Sequence, residues 1–190
     1  MRIAPAAFAL LLSTAACGAE IEGVNLPDRV QFGAGSGLVL NGAGVRVRLI
    51  FKVYVAALYL PAKAEDGEAI LRGDQPRRFV MHLLRDLSAA QINGSINDAL
   101  SDTLTLEERK PLDSRMSRFN SILDNIREFK TGTQIVLDYV PRLGTTVRVN
   151  AEDKGHIPGA DFMQALLRMW IGERPRDPDL RKALLGIGAR

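Results

Sequence analysis

The run NGAGVRVRLIFKVYVAALYLP, residues 41–61, limits the fold more than any other stretch of the chain. It is dominated by β-branched and aromatic residues, so it predicts a long strand from Val45 to Leu60, ended by Pro61, which has no N–H to give to a ladder. Alternation puts Val45, Val47, Leu49, Phe51, Val53, Val55 and Ala57 on one face, a core face. The other face carries Arg46, Arg48, Ile50, Lys52 and Tyr54, then turns apolar at Ala56 and Leu58. Three cations therefore lie on a strand whose far half must be covered on both sides. Most strand charges are solvated, which suits Arg48 and Lys52; a cation and a phenol at the edge of an apolar pocket also suit the polar end of a greasy ligand.

Before this run, EIEGVNLP, RVQF and GLVLNG are short apolar pieces broken by Pro27, Gly33, Gly35, Gly37, Gly42 and Gly44, which read as strands joined by tight turns. RFVMHLL, 78–84, is a further strand. The period then lengthens towards 3.6. Ser88 with Gln91, and Thr105 with Glu108, have capping-box spacing, and apolar residues at Ile92, Ile96, Ala99 and Leu100, then at Leu112, Met116, Phe119, Leu123 and Ile126, predict two amphipathic helices. IVLDYV and TVRVN return to strand, with PRLGT and EDKG as turns. FMQALLRMWIG predicts a helix from about Asp161 to Gly172, and Asp177-Pro178 is an N-cap and first residue for a closing helix. Segregated strands and helices argue for an α+β layer, an antiparallel sheet with helices on one face and a pocket between.

The chain has 190 residues, 46% hydrophobic and 25% charged, which allows one core and not two comfortable domains. Its formal net charge of +3 comes from interspersed charges, with no basic block among exposed aromatics, so nucleic acid is not an expected partner. Residues 1–19, MRIAPAAFALLLSTAACGA, have one cation at Arg2, an apolar stretch from Ala6 to Leu12 and a small-residue exit, the layout of a secretory signal too short to span a bilayer. The expectation is export, to the periplasm, with 1–19 removed, 20–190 as the folded domain and no transmembrane helix in the mature chain. Cys17, the one cysteine, leaves two readings open: a small residue near the cut, or the lipidated N-terminus of a lipoprotein. Neither permits a disulfide within the chain.

No metal or other cofactor is expected. His82 alternates with apolar neighbours and His156 lies in a loop beside IPG, so neither has the spacing of a zinc ligand. GAGSG lacks the Lys-Thr or Lys-Ser of a phosphate loop, and there is no GxSxG. The glycines of both GAGSG and NGAG read as turn glycines.

GAGVR followed by FKVYVAALYL resembles the chalcone isomerase-like family, and LRDLSAAQI, the Phe119 helix and IPGADFMQALLRMWIG are similar to its exported bacterial branch. The resemblance covers nearly all of the mature chain. It implies an open-faced β-sandwich, a large antiparallel sheet packed by helices with a ligand cleft between. Plant members close a chalcone into a flavanone, with the motif arginine holding an anionic oxygen; other members bind fatty acids through an arginine and a tyrosine. The motif arginine is here Arg46, and Tyr54 falls where the plant isomerases have threonine, as in the fatty-acid-binding branch. The plant catalytic tyrosine and asparagine fall on Ile92 and Ala99, which donate no side-chain hydrogen bond.

The leading expectation is an exported binder of an apolar ligand with an anionic end, with Arg46 and Tyr54 as ligand-binding residues, Ile92 and Ala99 lining the cleft, and little or no catalysis. The alternatives are a chalcone-type intramolecular isomerase or lyase with Arg46 as its catalytic residue, and an envelope protein-interaction module. Oligomeric state is not legible. One geometric demand stands out: on an unbroken strand Arg46 and Tyr54 would lie roughly 26 Å apart, so a shared ligand requires a bulge or sharp bend between them.

Overall fold

The computed structural model describes residues 18–33, 35 and 37–188. The N-terminal segment to Cys17, including the apolar stretch and the cysteine, lies outside the described residues. In chain order the elements are β1 (Gly18–Ile21), β2 (Val24–Pro27), β3 (Arg29–Val30), β4 (Leu38–Arg48), β5 (Phe51–Leu60), α1 (Gly67–Arg72), β6 (Arg77–Leu83), β7 (Leu87–Ser88), α2 (Ala89–Thr103), α3 (Leu106–Arg109), α4 (Asp113–Asp124), β8 (Glu128–Phe129), β9 (Gln134–Val140), β10 (Gly144–Val149), β11 (Glu152–Ile157), α5 (Ala160–Ile171) and α6 (Pro178–Leu184). A single 3-10 turn, Lys110–Leu112, links α3 to α4.

Seven strands form one antiparallel sheet in the order β11-β10-β9-β6-β5-β4-β3. The helices cover one face, where Ala56, Leu58, Phe79 and Leu137 meet Ile96 and Leu100 of α2, Phe119 of α4, and Phe162, Leu166 and Trp170 of α5. On the opposite face Val55, Ala57, Tyr59, Val80 and Val136 meet Leu26, with Ala19, Ile21 and Val24 of the β1–β2 hairpin packed against them. The α+β class and the helix-packed antiparallel sheet are as expected. Burial on both faces explains why VYVAALYL shows no polar alternation: a strand at the centre of two cores has no solvent side.

The capping signals hold. Ser88 accepts from the Gln91 amide while the Gln91 side chain accepts from the Ser88 amide, and Thr105 and Glu108 repeat the device at α3. Asp177 caps α6 by accepting from the Leu180 amide at 3.0 Å, with Pro178 as the first helical residue.

Four expectations are corrected. The strand Val45–Leu60 does not exist as one unit: the chain reverses at Leu49 and Ile50, and β4 and β5 are neighbours in a hairpin. The reversal was hidden because neither turn residue is glycine or asparagine; Leu49 itself takes the left-handed conformation, φ 57°. The NGAG glycines do not make a turn. They lie within β4, where a Cβ at Gly42 would run into the Ala183 carbonyl oxygen and one at Gly44 would stand 2.7 Å from the Ala183 Cβ, so they are small because α6 crosses directly over them. EDKG is likewise strand, the start of β11, and the turn before it is Asn150–Ala151 with φ 50° and 70°. Finally, the helical region after Ser88 holds α2, α3 and α4 where two helices were expected, and α1, capped by Asp66, is an addition.

Candidate functional site

Two register shifts shape the β4–β5 hairpin. Leu40 pairs with Tyr59 and Gly42 with Leu58, leaving Asn41 as an extra residue on β4; Arg46 pairs with Tyr54 and Val47 with Lys52, leaving Val53 as an extra residue on β5. The Val53 carbonyl accepts from the Leu84 amide at 2.9 Å, which continues the register of β5 against β6 through the bulge. A bulge rotates the neighbouring side chains of its strand. Lys52 consequently leaves the face it would share with Tyr54 and reaches Glu22 in the β1–β2 turn at 2.8 Å, whereas Phe51 turns to the cavity side.

Arg46 and Tyr54 are thus directly opposed across adjacent strands, at the mouth of a cavity of about 590 Å³ between the sheet and α2, α5 and the start of α6. The hairpin reversal, absent from the expected strand, meets the geometric demand. Ile92 and Ala99 also line this cavity, both on the inner face of α2. The inner wall is apolar, with Met81, Leu83, Ile96, Ile135, Met169 and Trp170. Arg48 lines the cavity at its outer end, beside Leu49 and Phe51.

Polar groups concentrate at the mouth. Arg46 Nη1 donates to Asp177 Oδ2 at 2.8 Å and to the Val47 carbonyl at 3.3 Å; Nε and Nη2 have no hydrogen-bond partner among the described residues. Tyr54 accepts at its hydroxyl oxygen from Trp170 Nε1–H at 2.8 Å, and its own O–H has no acceptor among the described residues. Trp170 is held in turn against Phe79, with ring centroids 4.2 Å apart. Burial pushes the Tyr54 phenol above the usual tyrosine range, with the Asp177 carboxylate adding to the effect, against the lowering influence of the Trp170 hydrogen bond and the Arg46 charge. The phenol is therefore protonated at neutral pH and is a donor. Four arginines, Arg46, Arg48, Arg85 and Arg176, line the cavity against two carboxylates, Asp98 and Asp177, so its potential favours an anion.

The histidines sit elsewhere. His82 lies beside Gln134 on β6, its ring nitrogen 2.9 Å from the side-chain amide, and burial lowers its pKa; His156 Nε2 lies 2.8 Å from the Leu143 carbonyl. Sequence reasoning did not include Trp170, Asp177 or Arg85 in the site. Asp177 was legible as a helix cap, but its second oxygen serves Arg46 across 131 positions of sequence, and no local pattern announces that.

The fold is thus an antiparallel sheet with helices on one face, enclosing a cavity with cationic and phenolic donors at its rim. The chalcone isomerase-like family model matches residues 18–186, and the chain belongs to that family. Among solved structures it is similar to an Arabidopsis thaliana fatty-acid binding protein, at 14% identity and a TM-score of 0.72, over 88% of this chain and 95% of that one. This likeness is one of fold. No curated protein matches the chain by sequence. Among the described residues no helix is long and apolar enough to cross a membrane.

Proposed function

We propose that the protein binds an apolar molecule with an anionic end, a fatty acid or a close analogue, in the sheet–helix cavity, and does so with little or no catalysis. The observation that carries the reading is the pairing of Arg46 with Tyr54 at the cavity mouth, each with donors left unspent. A carboxylate placed between them accepts from guanidinium Nε or Nη2 and from the phenol, while its chain runs along Met81, Ile96 and Ile135. Charge-assisted hydrogen bonds of this kind contribute about 1.5–3 kcal/mol each. The fatty-acid binding named for the Arabidopsis neighbour supports the choice of ligand. Ile92 and Ala99 present no donor to polarise a ketone, which supports binding over turnover.

Mass spectrometry of lipids that copurify with the protein, repeated on Arg46→Ala, tests this. A lipid carboxylate enriched on the wild type over the variant is the expected result. Equal or empty profiles would sink the reading, as would Arg46-dependent turnover of a chalcone panel.

We also infer export, from the charge and apolar layout of residues 1–19. The two processing routes differ in what they leave of β1. A cut after Ala19 removes Gly18 and Ala19, which pair with Pro27 and Leu26; a cut before Cys17 leaves all of β1 in place. Retention of those pairs supports lipidation at Cys17. Intact-mass measurement of the mature chain distinguishes a diacylglyceryl cysteine from an unmodified Glu20 terminus, and the latter would overturn the preference.

A further inference from the structure

The β4–β5 turn presents an apolar tip to solvent. Leu49 is 88% exposed and Ile50 85%, and Val47 and Phe51 beside them are also exposed. A turn needs none of this. The first turn position, with φ 57°, is one that glycine or asparagine fills at less conformational cost, and a polar residue would fill it with no apolar surface in water. Leucine followed by isoleucine is the opposite choice on both counts.

Cations surround the tip. Residues 46–52, RVRLIFK, hold three cations and no acid. The Arg85 guanidinium lies over the Phe51 ring, 5.1 Å from its centroid. Lys52 is matched by Glu22 and Arg46 by Asp177, but among the described residues neither Arg48 nor Arg85 is in an ion pair. Two unmatched guanidinium groups therefore flank four exposed apolar side chains.

We propose that this tip inserts into the surface of an anionic lipid bilayer, with Leu49 and Ile50 entering the acyl boundary and Arg48 and Arg85 meeting the headgroups. Aliphatic side chains on a narrow projection, ringed by cations, match an interface that is anionic at its surface and apolar beneath. A protein partner fits less well, because a stable protein interface takes about 20–30 residues a side and this tip offers four. Leu49 and Phe51 also line the outer end of the cavity, so insertion would bring its mouth to the lipid. The docking rests on the tip's exposure and charge and does not require that the cavity hold a carboxylate.

The test uses the full chain carrying Leu49→Trp, with vesicles of phosphatidylcholine alone, of phosphatidylcholine mixed with phosphatidylglycerol, and of the mixture with brominated acyl chains. The wild type, whose one tryptophan is the buried Trp170, supplies the baseline. Insertion shifts the added emission to shorter wavelength on the anionic vesicles, and the brominated chains quench it beyond the baseline. Leu49→Asp with Ile50→Asp weakens vesicle partitioning by at least about tenfold relative to wild type. Arg48→Glu with Arg85→Glu removes the preference for anionic vesicles; circular dichroism checks that both double variants remain folded. Vesicle-bound protein whose Leu49→Trp is unquenched would show attachment through another segment, such as the apolar stretch before Cys17, and would overturn the proposal. Absence of binding would do the same, as would a tip already shielded without lipid by self-association, which would identify a second copy as its occupant.

Discussion

The β4–β5 hairpin contains two bulges, one near each end, and they are put to opposite uses. At Asn41 the extra residue sends its amide into the fold: Oδ1 accepts from the Ala64 amide at 2.7 Å, and Nδ2 donates to the Ala64 and Leu184 carbonyls at 3.0 and 2.8 Å. Asn41 is 4% exposed, and its hydrogen bonds join β4 to the segment after β5 and to the end of α6. At Val53 the extra residue instead brings Arg46 opposite Tyr54 and turns Phe51 to the cavity, leaving donors on both polar side chains unspent. One backbone device thus closes one end of the hairpin and opens the other. Polar groups whose hydrogen bonds are complete within the fold report structure, and those left incomplete beside an apolar cavity report a ligand.

The arginines make the same contrast. Arg77, 2% exposed, donates to the carbonyls of Ile70, Gly73 and Gln75 and holds the loop between α1 and β6. Arg46 commits a single nitrogen. Its partner Asp177 has two duties, capping α6 with Oδ1 and holding Arg46 with Oδ2, so the charge of the anchor is tied to the start of the last helix.

The contrast can be broken at either end. Gly42→Ala has the largest expected effect: its Cβ would meet the carbonyl oxygens of Ala183 and Leu184, the latter at 2.7 Å, so α6 must move, with a loss of about 3 kcal/mol or more in urea unfolding. Asn41→Leu ranks second, at about 2–3 kcal/mol, since it strands the part-buried Ala64 amide and the Ala64 and Leu184 carbonyls that the native side chain satisfies. Neither is expected to alter ligand selectivity in the fraction that folds.

Changes at the open end should read out in binding as well as in stability. Arg46→Ala is expected to lower affinity for a fatty-acid probe by about tenfold or more while costing about 1–2 kcal/mol of stability, since it leaves the largely buried Asp177 carboxylate without its partner, measured by calorimetry and thermal unfolding side by side. Asp177→Ser retains a capping oxygen and frees the guanidinium, so affinity should rise a few-fold, with stability within about 1 kcal/mol of wild type. A fall in affinity on Asp177→Ser would mean that the carboxylate holds Arg46 in its working position and does not compete with the ligand.

Much of the architecture was legible along the chain. The caps at Ser88, Thr105 and Asp177 are contacts within three residues, and the apolar periods of α2, α4 and α5 report one covered face, so local order sufficed for both. Arg46 and Tyr54 could be singled out because they fall where the family's motif arginine and the tyrosine of its fatty-acid-binding branch stand; the cost of a cation on an apolar strand applies equally to Arg48 and Lys52. Their relation could not be read. It depends on a reversal at Leu49–Ile50 that carries no turn residue and on a bulge at Val53 that carries no glycine, both held by pairing to neighbours distant in sequence, such as the Leu84 amide on the Val53 carbonyl.

The sequence by itself determined that strands and helices segregate into an α+β layer, where most helices begin, and that the stretch from Val45 to Leu60 is costly to leave in water. Tertiary structure alone decided that this stretch folds back on itself, that Gly42 and Gly44 admit α6, and that Asp177, Trp170 and Tyr54 meet around Arg46. The physical reason is range. Caps and periodicity are energies between residues a few positions apart, whereas register, bulges and close helix crossings depend on which distant strand or helix supplies the missing partner.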